Sequence, residues 1–106
     1  MSSENLVHAD VPFDPIGFEK AVTLIKSLDN RNRLLIFCLL CDRNLNVTEM
    51  AEAAGLSLSA ASQHLAVLKT ADLVETEKRG QTVLYRLKSD EVRQVVALLK
   101  TMYCNV

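Results

Sequence analysis

The sequence contains three cysteines, whose side chains can take part in more kinds of chemistry than any others in the chain. Cys38 and Cys41 lie three residues apart in LLIFCLLCD, residues 34–42, inside an almost unbroken apolar run, and Cys104 lies near the carboxyl end. Thiols so placed could fill a core, bind a soft metal ion or react with sulfur compounds and oxidants. An odd number of cysteines argues against a plain disulfide framework. A thioredoxin-like Cys-x-x-Cys site needs a βαβ context, which this sequence lacks.

Size and composition predict one globular domain with a single modest core. The chain has 106 residues, of which 49% are hydrophobic and 24% charged. No apolar run reaches the ~18 residues of a membrane span, and MSSENLVHADVPFDP does not resemble a signal peptide. We therefore expect a cytoplasmic protein without membrane contact, in a compartment where thiols stay reduced unless they have a redox or metal role.

The charge is unevenly distributed along the chain. The net charge is −1 overall, but residues 55–88 carry five basic and three acidic side chains, a net charge of +2. Residues 1–54 carry five basic and eight acidic side chains, a net charge of −3. A locally basic segment matters more for nucleic-acid binding than the overall sum.

The first half of the sequence predicts three helices after a mobile tail at residues 1–14. Helical spacing of apolar residues marks the first helix, at Phe18, Ala21, Val22, Ile25 and Leu28. Asp29 is predicted to cap the second helix, which contains the apolar run and ends near Asp42. Asn46 and Glu49 form a capping-box pattern for a third helix, and Gly55 follows its end.

The second half of the sequence completes a winged-helix pattern. Ser57 caps a fourth helix with an apolar stripe at Leu58, Ala61, Leu65 and Leu68, and the tight glycine turn before it predicts a helix-turn-helix. A β-hairpin follows, with Val83, Tyr85 and Leu87 alternating and Arg79-Gly80 near the turn. Ser89 caps a last helix, whose apolar stripe is Val92, Val95, Val96, Leu99, Met102 and Tyr103. The order ααααββα predicts a mainly α fold with a small hairpin, a winged helix-turn-helix.

In a helix-turn-helix, the start of the second helix reaches base edges and phosphates in the major groove. The residues at that position are Ser57, Ser59, Ala60, Ser62, Gln63 and His64. Gln63 can read an adenine edge, whereas Lys69 would reach only the backbone. The hairpin tip, Lys78, Arg79, Gly80 and Gln81, suits a wing that contacts phosphate or the minor groove. Good helix caps and a solvated hairpin tip would produce the same pattern in a winged helix that binds only protein.

The segment GLSLSAASQHLAVLKTADLVETEKRGQTVLYRL resembles the DNA-binding segment of the ArsR/SmtB family of bacterial repressors, with its S-x-x-S-Q-H-L-x-x-L core. The resemblance covers about residues 16–104. It implies a transcriptional regulator, of the repressor type, that binds a double-stranded DNA operator and is not an enzyme. It also implies a homodimer formed through the first and last helices, so that residues 15–106 serve DNA binding and dimerisation.

The family's usual metal ligands are missing from this sequence. The arsenic- and cadmium-type site needs a Cys-x-Cys-like cluster where this chain has Asn46, Val47 and Thr48. The zinc-type site needs aspartate and histidine on the last helix, which here carries Asp90, Glu91 and no histidine. The resemblance therefore implies no metal and no cofactor at either usual site.

Cys38 and Cys104 are similar to the thiol pair of the metal-free dithiol branch of that family, the HlyU-, SqrR- and BigR-like regulators. That resemblance implies a redox-sensing pair that is bridged as a disulfide or polysulfide when reactive sulfur species or oxidants act as inducer. Cys41 is not part of the branch pattern. A soft metal or metalloid ion bound by Cys38, Cys41 and Cys104 is the alternative.

Overall fold

The computed structural model describes residues 10–104, which form five helices and one two-stranded sheet. In chain order the elements are α1 (Pro15–Leu28), α2 (Arg31–Asp42), α3 (Val47–Ala54), α4 (Leu58–Thr70), β1 (Val74–Arg79), β2 (Thr82–Leu87) and α5 (Asp90–Tyr103). This order confirms the predicted winged helix-turn-helix. Of the predicted tail, residues 1–9 lie outside the described part of the chain, and Asp14 caps α1 by accepting a hydrogen bond from the Gly17 amide. No helix within residues 10–104 is long and apolar enough to span a membrane.

Most of the predicted helix caps are present. Asn46 Oδ1 accepts from the Glu49 amide at 2.8 Å, and Glu49 Oε1 accepts from the Asn46 amide at 2.9 Å, which completes the capping box. Gly55 ends α3 with a left-handed φ of 66°, a conformation that glycine adopts without steric cost. Ser57 and Ser89 cap α4 and α5 as predicted.

The cap of α2 differs from the prediction by one residue. Asn30, in an extended conformation, accepts from the Arg33 amide at 3.0 Å and is the N-cap. Asp29 instead ends α1, where its amide donates to the Lys26 carbonyl. The connection consists of Asp29 and Asn30 alone, so Asp29 caps the end of α1 and Asn30 caps the start of α2.

The hairpin is a short antiparallel ribbon that is tied to the helices. Its register pairs Arg79 with Thr82, which leaves Gly80 and Gln81 as the turn. Gly80 has a left-handed φ of 64°, which suits a tight hairpin turn. On the inner side, Leu45 and Tyr85 exchange backbone hydrogen bonds of 3.1 and 2.8 Å, so the chain between α2 and α3 adds a bridge to β2.

Every described element except α1 contributes buried residues to a single core, against which Leu24 and Leu28 of α1 pack. Its buried members are Ile36, Phe37, Leu40, Leu45, Met50, Leu65, Leu68, Val74, Leu87, Val92 and Val96. Leu58, predicted on the buried stripe of α4, is 55% exposed, because the first residue of α4 precedes the turn that faces the core. Residues that were predicted on the apolar stripes of α1 and α5 are also exposed, among them Ile25, Met102 and Tyr103.

Candidate functional site

The start of α4 presents one exposed polar face. Ser57 Oγ accepts from the Ala60 amide at 3.0 Å, which fixes the direction in which the helix begins. The predicted base- and phosphate-contacting residues share the outer side of the helix: Ser59, Ser62 and Gln63 are exposed, and Ala60 and His64 are half-buried. Lys69 is exposed near the other end of α4. The structure therefore assembles the predicted α4 residues into one accessible surface.

The buried side of α4 anchors that surface. Ala61, Leu65 and Leu68 point into the core, where Leu65 has no exposed area. The chain reverses between α3 and α4, and the Leu56 amide donates to the Ala51 carbonyl at 2.9 Å. α3 packs against α4, as the two helices of a helix-turn-helix do.

The hairpin tip provides a second exposed polar group. Lys78, Arg79, Gly80 and Gln81 are all exposed, as a wing needs. Arg79 Nε lies 3.4 Å from Glu77 Oε1, whereas Arg86 is held by Glu75 at 2.6 Å. Surface ion pairs of this kind contribute about 0–1 kcal/mol, so Arg79 can exchange its glutamate for a phosphate at small cost.

The three cysteines lie where α2 packs against α5. Cys38 and Cys41 are half-buried on α2, whereas Cys104 is exposed and caps the end of α5. Burial raises the pKa of the Cys38 thiol, and the neighbouring Cys41, Cys104 and Asp42 raise it further, while the positive charge of Lys100 lowers it. Groups from both helices therefore influence the pKa of Cys38.

Cys41 has different surroundings from Cys38. Burial again raises the pKa of its thiol, but Arg93 and Lys100 both lower it, and Asp42 raises it. Cys104 is not among the groups that act on Cys41. Arg93 therefore distinguishes the surroundings of Cys41 from those of Cys38.

The sequence interpretation missed three charged residues around these thiols. Lys100 Nζ lies 3.5 Å from Asp42 Oδ2, and Arg93 Nη1 donates to the Cys41 carbonyl at 3.0 Å. For two of them a signal was present in the spacing, since Asp42 follows Cys38 by four residues and Lys100 precedes Cys104 by four. The spacing indicates a shared site only because α2 and α5 pack against each other, which the tertiary structure shows.

The alternative three-thiolate site is not assembled in this structure. Across residues 10–104, no three histidine, cysteine, aspartate or glutamate side chains are grouped so that they could hold a metal ion. That range includes Cys38, Cys41 and Cys104.

Comparison with known proteins places this geometry in a family. A family model described as "Bacterial regulatory protein, arsR family" matches residues 30–76. The transcriptional activator HlyU of Vibrio cholerae is 48% identical over 86 residues, 81% of this chain and 80% of HlyU. The HTH-type transcriptional regulator YgaV of Escherichia coli is 37% identical over 87 residues, 81% of this chain and 88% of YgaV.

Solved structures agree with this assignment. Reduced HlyU from Vibrio cholerae superposes with a TM-score of 0.78 at 46% identity, covering 83% of this chain and 93% of HlyU. The transcriptional repressor BigR from Xylella fastidiosa superposes with a TM-score of 0.78 at 29% identity, covering 84% and 91% of the two chains. These relatives are regulators rather than enzymes, which confirms the predicted class and the predicted resemblance. The chain is a DNA-binding transcriptional regulator that belongs to the arsR family of bacterial regulatory proteins.

Proposed function

We propose that this regulator is a homodimeric repressor whose operator binding is switched by a covalent bridge between Cys38 and Cys104 of one chain. The inducer is a reactive sulfur species or an oxidant. The observation that carries the proposal is the packing of α2 against α5, where Asp42, one turn after Cys38, lies 3.5 Å from Lys100, one turn before Cys104. Bound to operator DNA, α4 would contact bases through Gln63 and phosphates through its serines, and the wing would add Arg79.

The homodimer is supported by what α1 and α5 leave uncovered. α1 has no buried residue, and the two helices expose large apolar side chains, at Ile16, Ile25, Leu98, Met102 and Tyr103. Exposed apolar surface of this extent is typical of an interaction site. A second copy that packs the same two helices against these residues would bury them, and it would place two α4 helices side by side for two half-sites.

The bridging chemistry balances without a further oxidant. The Cys38 thiolate attacks the central sulfur of an organic trisulfide, RSSSR, and releases RS⁻. The Cys104 thiolate then attacks the same sulfur and releases a second RS⁻, which leaves the bridge Cys38–S–S–S–Cys104. An organic disulfide, RSSR, would give a plain disulfide in the same way, but only with Cα atoms within ~7 Å. An added sulfur atom widens the gap that can be bridged.

The position of the bridge explains how it could act on DNA binding. Cys38 lies on α2, which packs against α3 of the helix-turn-helix, and Cys104 ends the helix that carries the exposed apolar residues of the proposed dimer. A covalent link would couple the relative placement of these parts. A coupling free energy of ~1–3 kcal/mol between the bridged and open forms is enough for regulation.

The test separates the three thiols in DNA-binding assays before and after treatment with glutathione trisulfide. Cys38→Ser and Cys104→Ser should each bind operator DNA and ignore the trisulfide, whereas Cys41→Ser should still respond. Peptide mapping of the wild-type product should identify a Cys38–Cys104 bridge within one chain. A response that is lost in Cys41→Ser but kept in Cys104→Ser would make Cys38 and Cys41 the reactive pair and overturn the proposal.

A further inference from the structure

An ion pair lies one helical turn from each of the two proposed reacting thiols. Asp42 follows Cys38 by four residues on α2, and Lys100 precedes Cys104 by four residues on α5. Residues four apart share one face of a helix. Because Lys100 Nζ lies 3.5 Å from Asp42 Oδ2, the seam where α2 meets α5 carries the ion pair and both thiols.

Lys100 is the cation of this seam. Four charged or titratable groups influence the pKa of Cys38: Cys41 and Asp42 from α2, and Lys100 and Cys104 at the end of α5. Lys100 is the one positive group among these four. Arg93, two turns earlier on α5, instead donates to the Cys41 carbonyl, and its charge acts on Cys41. Arg93 thus acts on Cys41 and not on Cys38, whereas Lys100 lowers the pKa of both thiols.

We propose that Lys100 is the positioning residue of the thiol site, with its ammonium shared between the Cys38 thiolate and Asp42, which compete for it. The inference rests on the proposed function only in taking Cys38 as the attacking thiol. Asp42 holds Lys100 beside α2 while Cys38 is a neutral thiol. When Cys38 loses its proton, the ammonium stabilises the anion that attacks sulfur.

The reaction itself would then release Lys100. Once Cys38 forms a sulfur–sulfur bond, its sulfur carries no negative charge. The Lys100 ammonium then pairs with Asp42 alone. Lys100 therefore favours the step in which the thiolate forms and attacks, but it does not favour the bridged product. Such a residue changes the rate and the pH dependence of sensing.

The test measures the pH dependence of Cys38 alkylation by iodoacetamide in the full-length protein, quantified by peptide mass spectrometry after short pulses. Iodoacetamide converts the thiolate to a thioether and releases iodide, so its rate follows the thiolate fraction. In Lys100→Gln the midpoint should rise by about half a pH unit, which lowers the rate near neutral pH about threefold. In Asp42→Asn the midpoint should fall, and Lys100→Arg should remain near wild type.

The opposite direction of the two shifts is the decisive feature. Lys100→Gln and Asp42→Asn break the same ion pair, so a pair that merely fastened α5 to α2 would change the Cys38 profile in the same direction in both. Shifts in the same direction, or no shift in either, would overturn the inference. Arg93→Gln is the matched control, since it should raise the midpoint of Cys41 and leave that of Cys38 in place.

This readout is independent of the proposed switch. Alkylation needs no DNA, no second thiol and no bridge, so opposite shifts in a protein that never forms the Cys38–Cys104 bridge would refute the switch and keep the inference. Conversely, a working bridge with an unmoved Cys38 profile would keep the switch and remove Lys100 from it.

Discussion

The segment from α3 to β2 and the outward sides of α1 and α5 differ in how completely one chain buries their apolar residues. In the first, Met50, Leu65 and Val74 are buried, and the caps and the hairpin bridge satisfy the backbone locally. In the second, α1 buries no residue, and a cavity of about 460 Å³ separates part of it from Leu73 and Ser89. The segment from α3 to β2, the finished half, is therefore well packed within one chain, whereas the outward sides of α1 and α5, the open face, leave large apolar side chains exposed.

This difference places the thiols at a border. α2 packs on one side against α3 and on another against α5, so Cys38 and Cys41 lie between the finished half and the open face. A modification there can alter how the two are arranged without unfolding either.

The largest effect should come from a cavity in the finished half. Leu65→Ala removes a fully buried side chain and should lower the free energy of unfolding by ~2–5 kcal/mol, measured by urea denaturation. Leu98→Ala is the matched control on the open face, where Leu98 is 59% exposed. Its smaller loss should depend on protein concentration, because it acts through the proposed dimer, and sedimentation equilibrium should show weaker association. A concentration-independent loss in Leu98→Ala would argue against the dimer face.

Gln63 on α4 and Gln94 on α5 are both exposed, and only Gln63 should matter for sequence recognition. Gln63→Ala, on α4, should weaken operator binding by ~1–3 kcal/mol and have little effect on random DNA, because a base contact is lost. Gln94→Ala, on α5, should change neither. Fluorescence anisotropy with operator and random duplexes checks both, and equal losses on the two duplexes in Gln63→Ala would show that Gln63 does not read bases.

The smallest effect is expected at the wing. Arg79→Ala should weaken operator and random binding alike and reduce the slope of log affinity against log salt by about one, as for one lost phosphate contact. Lys26→Ala removes an exposed cation from α1 and should leave the slope unchanged. An unaltered slope in Arg79→Ala would mean that the hairpin tip does not contact DNA.

Features with a local code were predictable from the sequence. The capping box of Asn46 and Glu49, the left-handed Gly55 and the Ser57 and Ser89 caps depend on residues at most a few positions apart. The exceptions arose where two local signals overlapped or where burial decided. Asp29 and Asn30 are both good N-cap residues, but Asp29 ends α1, so Asn30 caps α2. Leu58 fits the apolar stripe of α4 but precedes the turn of the helix that reaches the core.

The sequence by itself determined the order of elements, the polar start of α4 and the likeness to a family of regulators. It did not determine which faces of α2 and α5 meet. Lys100 and Asp42 are 58 positions apart, and no periodicity within either helix can report a contact between them. Only packing around the shared core, through Ile36, Val92 and Val96, turns those faces toward each other. That packing joins Lys100 to Asp42 and brings the faces of α2 and α5 that carry Cys38 and Cys104 to one seam, because side chains on two helices meet only where the core aligns them.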